Sequence, residues 1–140
     1  MGAKSRVRAY YVALRNGDPL APYFAPDEDV VKYGISETLA GYDAIESGLQ
    51  TQTRTTTDWT VESHALGVTE RDRHAWFSDR VTLAWTATDR HIRYEFDTRW
   101  SGTLERRSPD SETMETDDGP VSTTGDWRFV GMHVSTAGEL

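Results

Sequence analysis

Apolar and polar residues alternate along most of the second half of the chain. The alternation runs through residues 58–68, 74–87, 92–106 and 127–135, four long segments of period 2. Because successive side chains of a strand point to opposite faces of a sheet, this pattern is typical of β-strands. Short polar segments at 70–73 and 88–90 separate the first three, so we predict an antiparallel meander.

The last of these segments predicts a central strand. Trp127, Phe129 and His133 share one parity, and Val130 and Val134 share the other. Large apolar residues therefore occur on both predicted faces, which is typical of a strand with neighbours on both sides and a covered surface above and below it.

The first half of the chain has helical spacing instead. Residues 4–16 place Val7, Tyr10, Tyr11 and Leu14 on one face of a helix that ends at Asn16-Gly17. We predict a short second helix from Asp18, closed by prolines, and a small hairpin formed by 29–33 and 36–39. A third helix begins at 41–43 and gives way to a polar, threonine-rich segment at 51–57.

Helices followed by an antiparallel meander predict an α+β fold, with the helices on one face of a curved sheet. The length of 140 residues predicts one domain, 1–140. Residues 108–125 are acidic and contain Pro109 and Pro120, so we predict a mobile hairpin insertion there.

Charge and composition restrict the function. A net charge of −8 argues against nucleic-acid binding, and no segment has the roughly 18 apolar residues of a membrane span. With no cysteine, disulfides and thiolate metal sites are excluded. The N-terminus lacks the apolar core of a signal peptide, so we expect a cytoplasmic protein. All but two of the 15 basic residues are arginines, and this with the acidic excess suggests halophilic adaptation, with ordinary acidic drift as the alternative.

Four segments together resemble the SnoaL-like domains of the nuclear-transport-factor-2-like superfamily. They are 14–18 (Leu-Arg-Asn-Gly-Asp), 41–45 (Gly-Tyr-Asp-Ala-Ile), 75–82 (Ala-Trp-Phe with Arg-Val-Thr) and 127–135 (Trp-Arg-Phe-Val-Gly-Met-His-Val-Ser). The pattern is also similar to the association (hub) domain of calcium/calmodulin-dependent kinases, which ends in a comparable run. In this chain Gly131 stands where the family often has a first histidine, and 108–125 is longer than usual.

The resemblance implies a cone-shaped α+β fold in which a strongly bent, mainly antiparallel sheet wraps around the helices and leaves a pocket. It also implies a homodimer formed through the outer sheet face. Arg80 is similar in position to a hub-domain arginine that faces the cavity and contacts anions. We therefore expect the face that carries Trp76 and Arg80 to line the pocket.

The neighbouring strand adds further candidates. Asp97, Arg99 and Ser101 share a face, and buried charges are costly unless they pair, so Asp97 is expected to pair with an arginine. An ion-pair network on a solvated face is the alternative. The resemblance also places Tyr11, Phe24 and Tyr33 near the open end of the cone, although core packing is the more common role for any one of them.

Three functions remain open at this point. In the first, a homodimer binds a small polar or anionic molecule, with Arg80 and Arg99 holding the anion. In the second, a cofactor-independent isomerase or cyclase uses Asp97 to remove a proton next to a carbonyl group, and His133 or a tyrosine stabilises the enolate. In the third, the cone is filled by its own side chains and the domain is an interaction module. His133 is otherwise a hydrogen-bonded core residue, and no histidine has metal-ligand spacing, so neither a metal nor a cofactor is expected.

Overall fold

The structure is a computed structural model that describes residues 2–107 and 126–136. The insertion predicted at 108–125 lies outside the described residues. The helices are α1 Ala3–Asn16 and α2 Tyr42–Thr55, with a single 3-10 turn at Ala21–Tyr23 between them. The strands are β1 Val31–Gly34, β2 Glu37–Ala40, β3 Thr56–Ser63, β4 Gly67–Glu70, β5 His74–Ala87, β6 Ile92–Arg107 and β7 Asp126–Thr136.

Helix α1 agrees with the predicted helix. Val7, Tyr10, Tyr11 and Leu14 form its buried face. The helix ends at Gly17, whose φ of 73° lies in the left-handed region that a residue without Cβ adopts at little cost. The backbone N–H groups after the last turn donate back to the carbonyl groups of Ala13 and Leu14, so the predicted C-terminal cap is confirmed.

The other two helical predictions need correction. The helix predicted from Asp18 is only the single turn Ala21–Tyr23, because Pro22 and Pro26 leave no room for more. Helix α2 instead continues to Thr55, through most of the threonine-rich segment predicted to be irregular. The hydroxyl groups of Thr55 and Thr56 donate to carbonyl groups one turn earlier, which keeps these polar residues within the helical hydrogen-bond pattern.

The strands form one mostly antiparallel, open and curled sheet, so the predicted α+β cone is confirmed. The order is β2-β1-β7-β6-β5-β3, with β4 paired to the other half of β5, and only β1 and β7 are parallel. As predicted, β7 is central. The segment predicted as one strand at 58–68 is divided into β3 and β4, both antiparallel to β5, with a bend between them.

The core fills the concave side of the sheet, where α1 packs against it. Tyr10 meets Trp100 and Phe129 edge to face, with ring centroids 6.1 Å and 5.3 Å away. Such aromatic pairs each contribute about 0.5–1.5 kcal/mol beyond the area they bury. Phe24 and Phe77 also pack on Phe129, so the aromatic residues of α1, β5, β6 and β7 meet in one cluster.

A β-bulge reverses the facing of β7 in its middle. Thr103 pairs with Gly131 and Leu104 with Phe129, so Val130 is an extra residue. Beyond this point Met132 is buried with the core, and His133 is exposed. The prediction that Phe129 and His133 share a face is therefore wrong, because one unpaired residue turns every following side chain over.

Candidate functional site

The concave face of β5 carries the apolar parity of the strand. Phe77, Val81 and Leu83 are buried there, whereas Arg80 is exposed and Trp76 is 47% exposed on the opposite, outer face. The expectation that Trp76 and Arg80 line the pocket is therefore corrected. A guanidinium on the concave face would lie beneath the helices without water, which costs several kcal/mol unless it is paired.

Strand β6 has the same arrangement. Thr98 and Trp100 are buried on the concave face, whereas Asp97, Arg99 and Ser101 are exposed on the outer face. The structure therefore brings most of the predicted residues together, but on the other side of the sheet from the helices. Arg80 and Arg99 are direct cross-strand neighbours there.

The other predicted residues also lie away from the pocket. Tyr11 and Phe24 are buried in the core. Tyr33 is half exposed, and its ring lies 6.4 Å from that of His133 at the surface. Asp97 does not meet His133. Its carboxylate accepts from the Thr82 hydroxyl, which is 2.8 Å from the His64 ring nitrogen. Whether any of these residues contacts a ligand stays a prediction.

A cavity of about 130 Å³ lies between the helices and the half of the sheet that carries β1, β5, β6 and β7. Its walls are mostly apolar and aromatic, with a few polar groups. None of the nine residues selected from sequence is among its described lining. The lining residues are Tyr10, Leu14, Lys32, Gly34, Ile35, Glu37, Gln52, Thr56, Trp59, Leu83, Trp85, Trp100 and Val134.

The charged part of the cavity wall is an ion pair on the β1–β2 hairpin. Lys32 Nζ lies 2.7 Å from Glu37 Oε2, and the exposed side-chain fractions are 8% for Lys32 and 34% for Glu37. Gly34 makes this contact possible, since a Cβ at that position would lie 2.8 Å from Lys32 Nζ. Lys32 is thus a buried ammonium whose charge is balanced by one carboxylate.

Tyr10 and two tryptophans form the adjoining walls. Burial, and secondarily the negative charge of Glu37, raises the pKa of Tyr10 above its usual range. The phenol therefore remains protonated and available as a donor. Trp59 and Trp85 stack with centroids 4.7 Å apart, and Trp59 Nε1 donates to the Thr56 hydroxyl at 2.8 Å.

A buried carboxylate, Asp79, lies on the concave face outside the cavity lining. It accepts from the Tyr11 hydroxyl at 2.8 Å, the Ser63 hydroxyl at 2.6 Å and the Ala65 backbone N–H at 2.9 Å. Burial, and secondarily the hydrogen bond to Asp79, raises the pKa of Tyr11 above its usual range. With three donors satisfied internally, Asp79 joins α1 and the β3–β4 connection to β5 and has a structural role.

The sequence contains only weak signals for the cavity residues. Lys32 is one of only two lysines and lies in an apolar segment with valines on its N-terminal side. Glu37 follows five residues later, across a turn in which Ser36 has a φ of 65°. A lysine within a predicted short hairpin is most simply interpreted as a solvated edge residue. Its burial becomes visible only in the folded chain, where Tyr10 of α1 and Gln52 of α2 line the same cavity.

Two further observations limit the possible chemistry. Within residues 2–107 and 126–136, no group of three His, Asp or Glu side chains is arranged to hold a metal ion. Of the helices described, none is long and apolar enough to cross a membrane.

Comparison with known proteins identifies a family model and solved structures that share the fold described above. A family model described as "SnoaL-like domain" matches residues 3–110. A search among curated proteins finds no significant match.

Solved structures share the fold across nearly the whole chain. A ketosteroid isomerase-like protein from Erwinia carotovora atroseptica has 15% identity and a TM-score of 0.70, covering 97% of this chain and 94% of that one. A nuclear transport factor 2-like superfamily protein from Salmonella enterica serovar Typhimurium has 16% identity and a TM-score of 0.74, with coverages of 96% and 88%.

A candidate calcium/calmodulin-dependent protein kinase II association domain from Xanthomonas campestris has 19% identity and a TM-score of 0.69, covering 96% of this chain and 84% of that one. At these identities the three structures show a common fold and no more. The match of the family model over most of the chain and the curled sheet around α1 lead to one conclusion: the chain belongs to the SnoaL-like domain family.

Proposed function

We propose that the chain binds a small molecule with a flat apolar body and a polar or anionic head in the aromatic cavity. The observation that carries the proposal is the buried Lys32, paired with a half-buried Glu37, in a wall that is otherwise largely apolar. Buried charged residues are rare unless they are paired or functional. An ammonium has three N–H donors, and Glu37 is the only acceptor of Lys32 among the described residues, so donors remain for a ligand.

The cavity volume sets the size of the ligand. At about 130 Å³ it is slightly smaller than an apolar cavity of about 150 Å³ that admits benzene. Drug-sized ligands use pockets of about 300–1,000 Å³. We therefore expect the enclosed part to hold roughly one ring, lying against Trp59, Trp85 and Trp100 with its head group at Lys32.

Lys32→Met is the variant that tests this binding mode, since methionine keeps the apolar stem and removes the ammonium. Benzoate is expected to raise the melting temperature of the wild type, with benzamide as the uncharged comparison. Lys32→Met should weaken benzoate binding at least tenfold, because a hydrogen bond to a charged group contributes about 1.5–3 kcal/mol. Thermal unfolding measures the melting temperature, and titration calorimetry measures the dissociation constant of benzoate.

Arg80→Gln is the matched control, because it removes a cation from the outer face of the same sheet. It should bind benzoate as the wild type does. Unchanged binding in Lys32→Met would disprove the proposed head-group contact. Loss of binding in Arg80→Gln would instead favour the site first selected from the sequence.

A second candidate function is proton transfer next to a carbonyl group. Glu37 is the only carboxylate among the described cavity residues, and the Tyr10 phenol stays protonated beside it. A carboxylate base facing a protonated donor is the arrangement that enolisation requires. The Glu37 carboxylate is already held by Lys32 at 2.7 Å, so we rank this function below simple binding.

Deuterium exchange at the α-carbon of cyclohexanone, followed by NMR, tests the second candidate. Exchange catalysed by the wild type should fall at least 100-fold in Glu37→Gln, since general base catalysis contributes about 10²–10⁴-fold. Asp97→Asn, which changes an exposed outer-face carboxylate, should retain the wild-type rate. Equal rates in the wild type and Glu37→Gln would exclude Glu37 as the base.

We further propose that the chain forms a homodimer through the outer face of its sheet. Trp76 is 47% exposed on this face, and β5 and β6 present their polar parity to solvent along their length. The similarity to a candidate kinase association domain supports an associating surface. Strands β3 to β7 contain 53 residues. At about 3.3 Å per residue and about 4.8 Å between strands they offer roughly 840 Å² of projected area, close to the about 800 Å² per partner of a stable interface.

A further inference from the structure

The outer face carries charges in two rows that run across the strands. Asp97 on β6 and Glu62 on β3 both pair with Thr82 on β5, which forms an acidic row. Arg80 and Arg99 pair with each other one step away and form a basic row. Residues two apart on a strand are separated by about 7 Å, so the rows are parallel stripes of opposite charge at that spacing.

Asp97 accepts from the Thr82 hydroxyl, and Arg99 donates to the Ser135 hydroxyl and the Thr136 carbonyl group, but these groups leave the charges themselves unpaired. No ion pair reaches Asp97, Glu62, Arg80 or Arg99 from any residue in the described part of the chain. Arg80 and Arg99 lie directly opposite each other, an arrangement of like charges that destabilises a sheet. The outer face therefore carries charges whose opposite-charge partners can come from another molecule.

We infer that the occupant of this face is a second copy of the chain, held by reciprocal contacts between the acidic and basic rows. The inference rests on the proposed homodimer and adds its register. A two-fold axis that lies between the two sheets, parallel to the rows and midway between them, exchanges one row for the other. Arg99 then faces Asp97 of the partner subunit, and the same contact occurs again on the other side of the axis.

The same two-fold rotation places Arg80 opposite Thr82 of the partner subunit. The carboxylates of Asp97 and Glu62 flank Thr82 in the acidic row. The cross-strand arginine pair of each subunit is thus balanced by charge from the other. Aligned packing of two sheets keeps their strands within about 30° of one another, so rows that cross the strands at the same height stay in contact.

Shifting the axis along the strands by half the row spacing, onto the basic row, removes this match. With the axis on the basic row, Arg80 and Arg99 would face their own copies, and four guanidinium groups would meet. Like-charge contacts in an interface cost several kcal/mol. The charge pattern therefore selects one register among those that a flat sheet face allows.

Charge reversal at one position tests the register. Arg99→Asp and Asp97→Arg, each alone, place like charges against each other twice in the dimer. Each should raise the dimer dissociation constant by about 100-fold or more. A mixture of the two variants restores opposite charges at both contacts, so it should form a heterodimer within about tenfold of wild-type affinity. Sedimentation equilibrium measures the constants, and native mass spectrometry distinguishes the heterodimer from either homodimer.

Arg8→Asp, an equal change of charge on the exposed face of α1, should dimerise like the wild type. A wild type that stays monomeric at every concentration would disprove the homodimer itself, and with it the register. A wild-type dimer that both single variants retain would overturn the register and leave the homodimer standing. Weak single variants whose mixture also stays monomeric would likewise overturn it.

Discussion

Asp79→Ala is expected to lower the free energy of unfolding by about 3–5 kcal/mol, because it leaves donors of Tyr11, Ser63 and Ala65 without an acceptor. The Tyr11 hydroxyl is the most costly of these, since it is buried and has no route to water. The three contacts also hold α1 and the β3–β4 connection against β5. Urea unfolding at neutral pH measures the loss.

Asp72→Ala, in the exposed turn between β4 and β5, is the matched control. Its carboxylate is exposed, and the change should alter the free energy of unfolding by no more than about 0.5 kcal/mol. Asp79→Asn should fall between the two, since an amide retains one acceptor oxygen. A loss below about 1 kcal/mol in Asp79→Ala would show that water replaces the carboxylate and that the cluster is not a structural joint.

The second large effect is expected in alkaline solution, where the free energy of unfolding should fall steeply above about pH 10. Burial raises the pKa of both Tyr10 and Tyr11 above that of a free phenol. Between the two values the unfolded chain has released the protons that the folded chain retains. Because the folded state then binds more protons, stability decreases as pH rises, and it is unaffected below the unfolded pKa.

The slope has a definite size. Each tyrosine contributes about 1.4 kcal/mol per pH unit, so the pair should give about 2.7 kcal/mol per unit while both remain protonated in the folded state. Urea unfolding at a series of pH values measures the slope. Tyr10→Phe should lower the slope by about 1.4 kcal/mol per pH unit, and the slope that remains belongs to Tyr11 and to Tyr42, whose pKa burial also raises. A slope that Tyr10→Phe does not alter would contradict a buried, protonated Tyr10.

The two faces of the sheet divide the proposed functions between them. The concave face has α1 against it and encloses the cavity with Lys32 and Glu37. The outer face carries separated charges suited to a copy of the same surface. Alternate residues of β5 and β6 point to opposite faces of the sheet. Substitutions at positions two apart therefore test the same function, either ligand binding or dimerisation, and substitutions at adjacent positions test one function each.

Much of the architecture could be predicted from local pattern. Period 3.6 in α1 and period 2 in β5 and β6 each occupy more than ten residues, long enough for one periodicity to exclude the other. The boundaries of β3 and α2 were harder to predict. The positive φ of Asp58 and the hydroxyl contacts of Thr55 and Thr56 are local geometry that residue type alone does not specify.

The alternation of residues in a strand does not determine which set of side chains lies on the concave face of the sheet. Alternation separates Phe77, Val81 and Leu83 from Trp76 and Arg80, but it does not say which set the helices cover. The apolar set was the physically cheaper one to bury, and the resemblance of Arg80 to a cavity arginine pointed the other way. In β7 the extra residue Val130 reversed the facing within a single strand.

The sequence by itself determined the class of fold, the order of its elements and the family, because these depend on periodicity, turns and short motifs close together in the chain. Only the tertiary structure decided where the candidate site lies. Lys32 becomes a buried cavity residue because Tyr10 of α1 and Gln52 of α2 line the same cavity and Glu37 folds back across the hairpin to balance its charge. Residues such as Tyr10 and Trp85 meet there from separate elements, and such long-range contacts leave no mark in the local pattern of either segment.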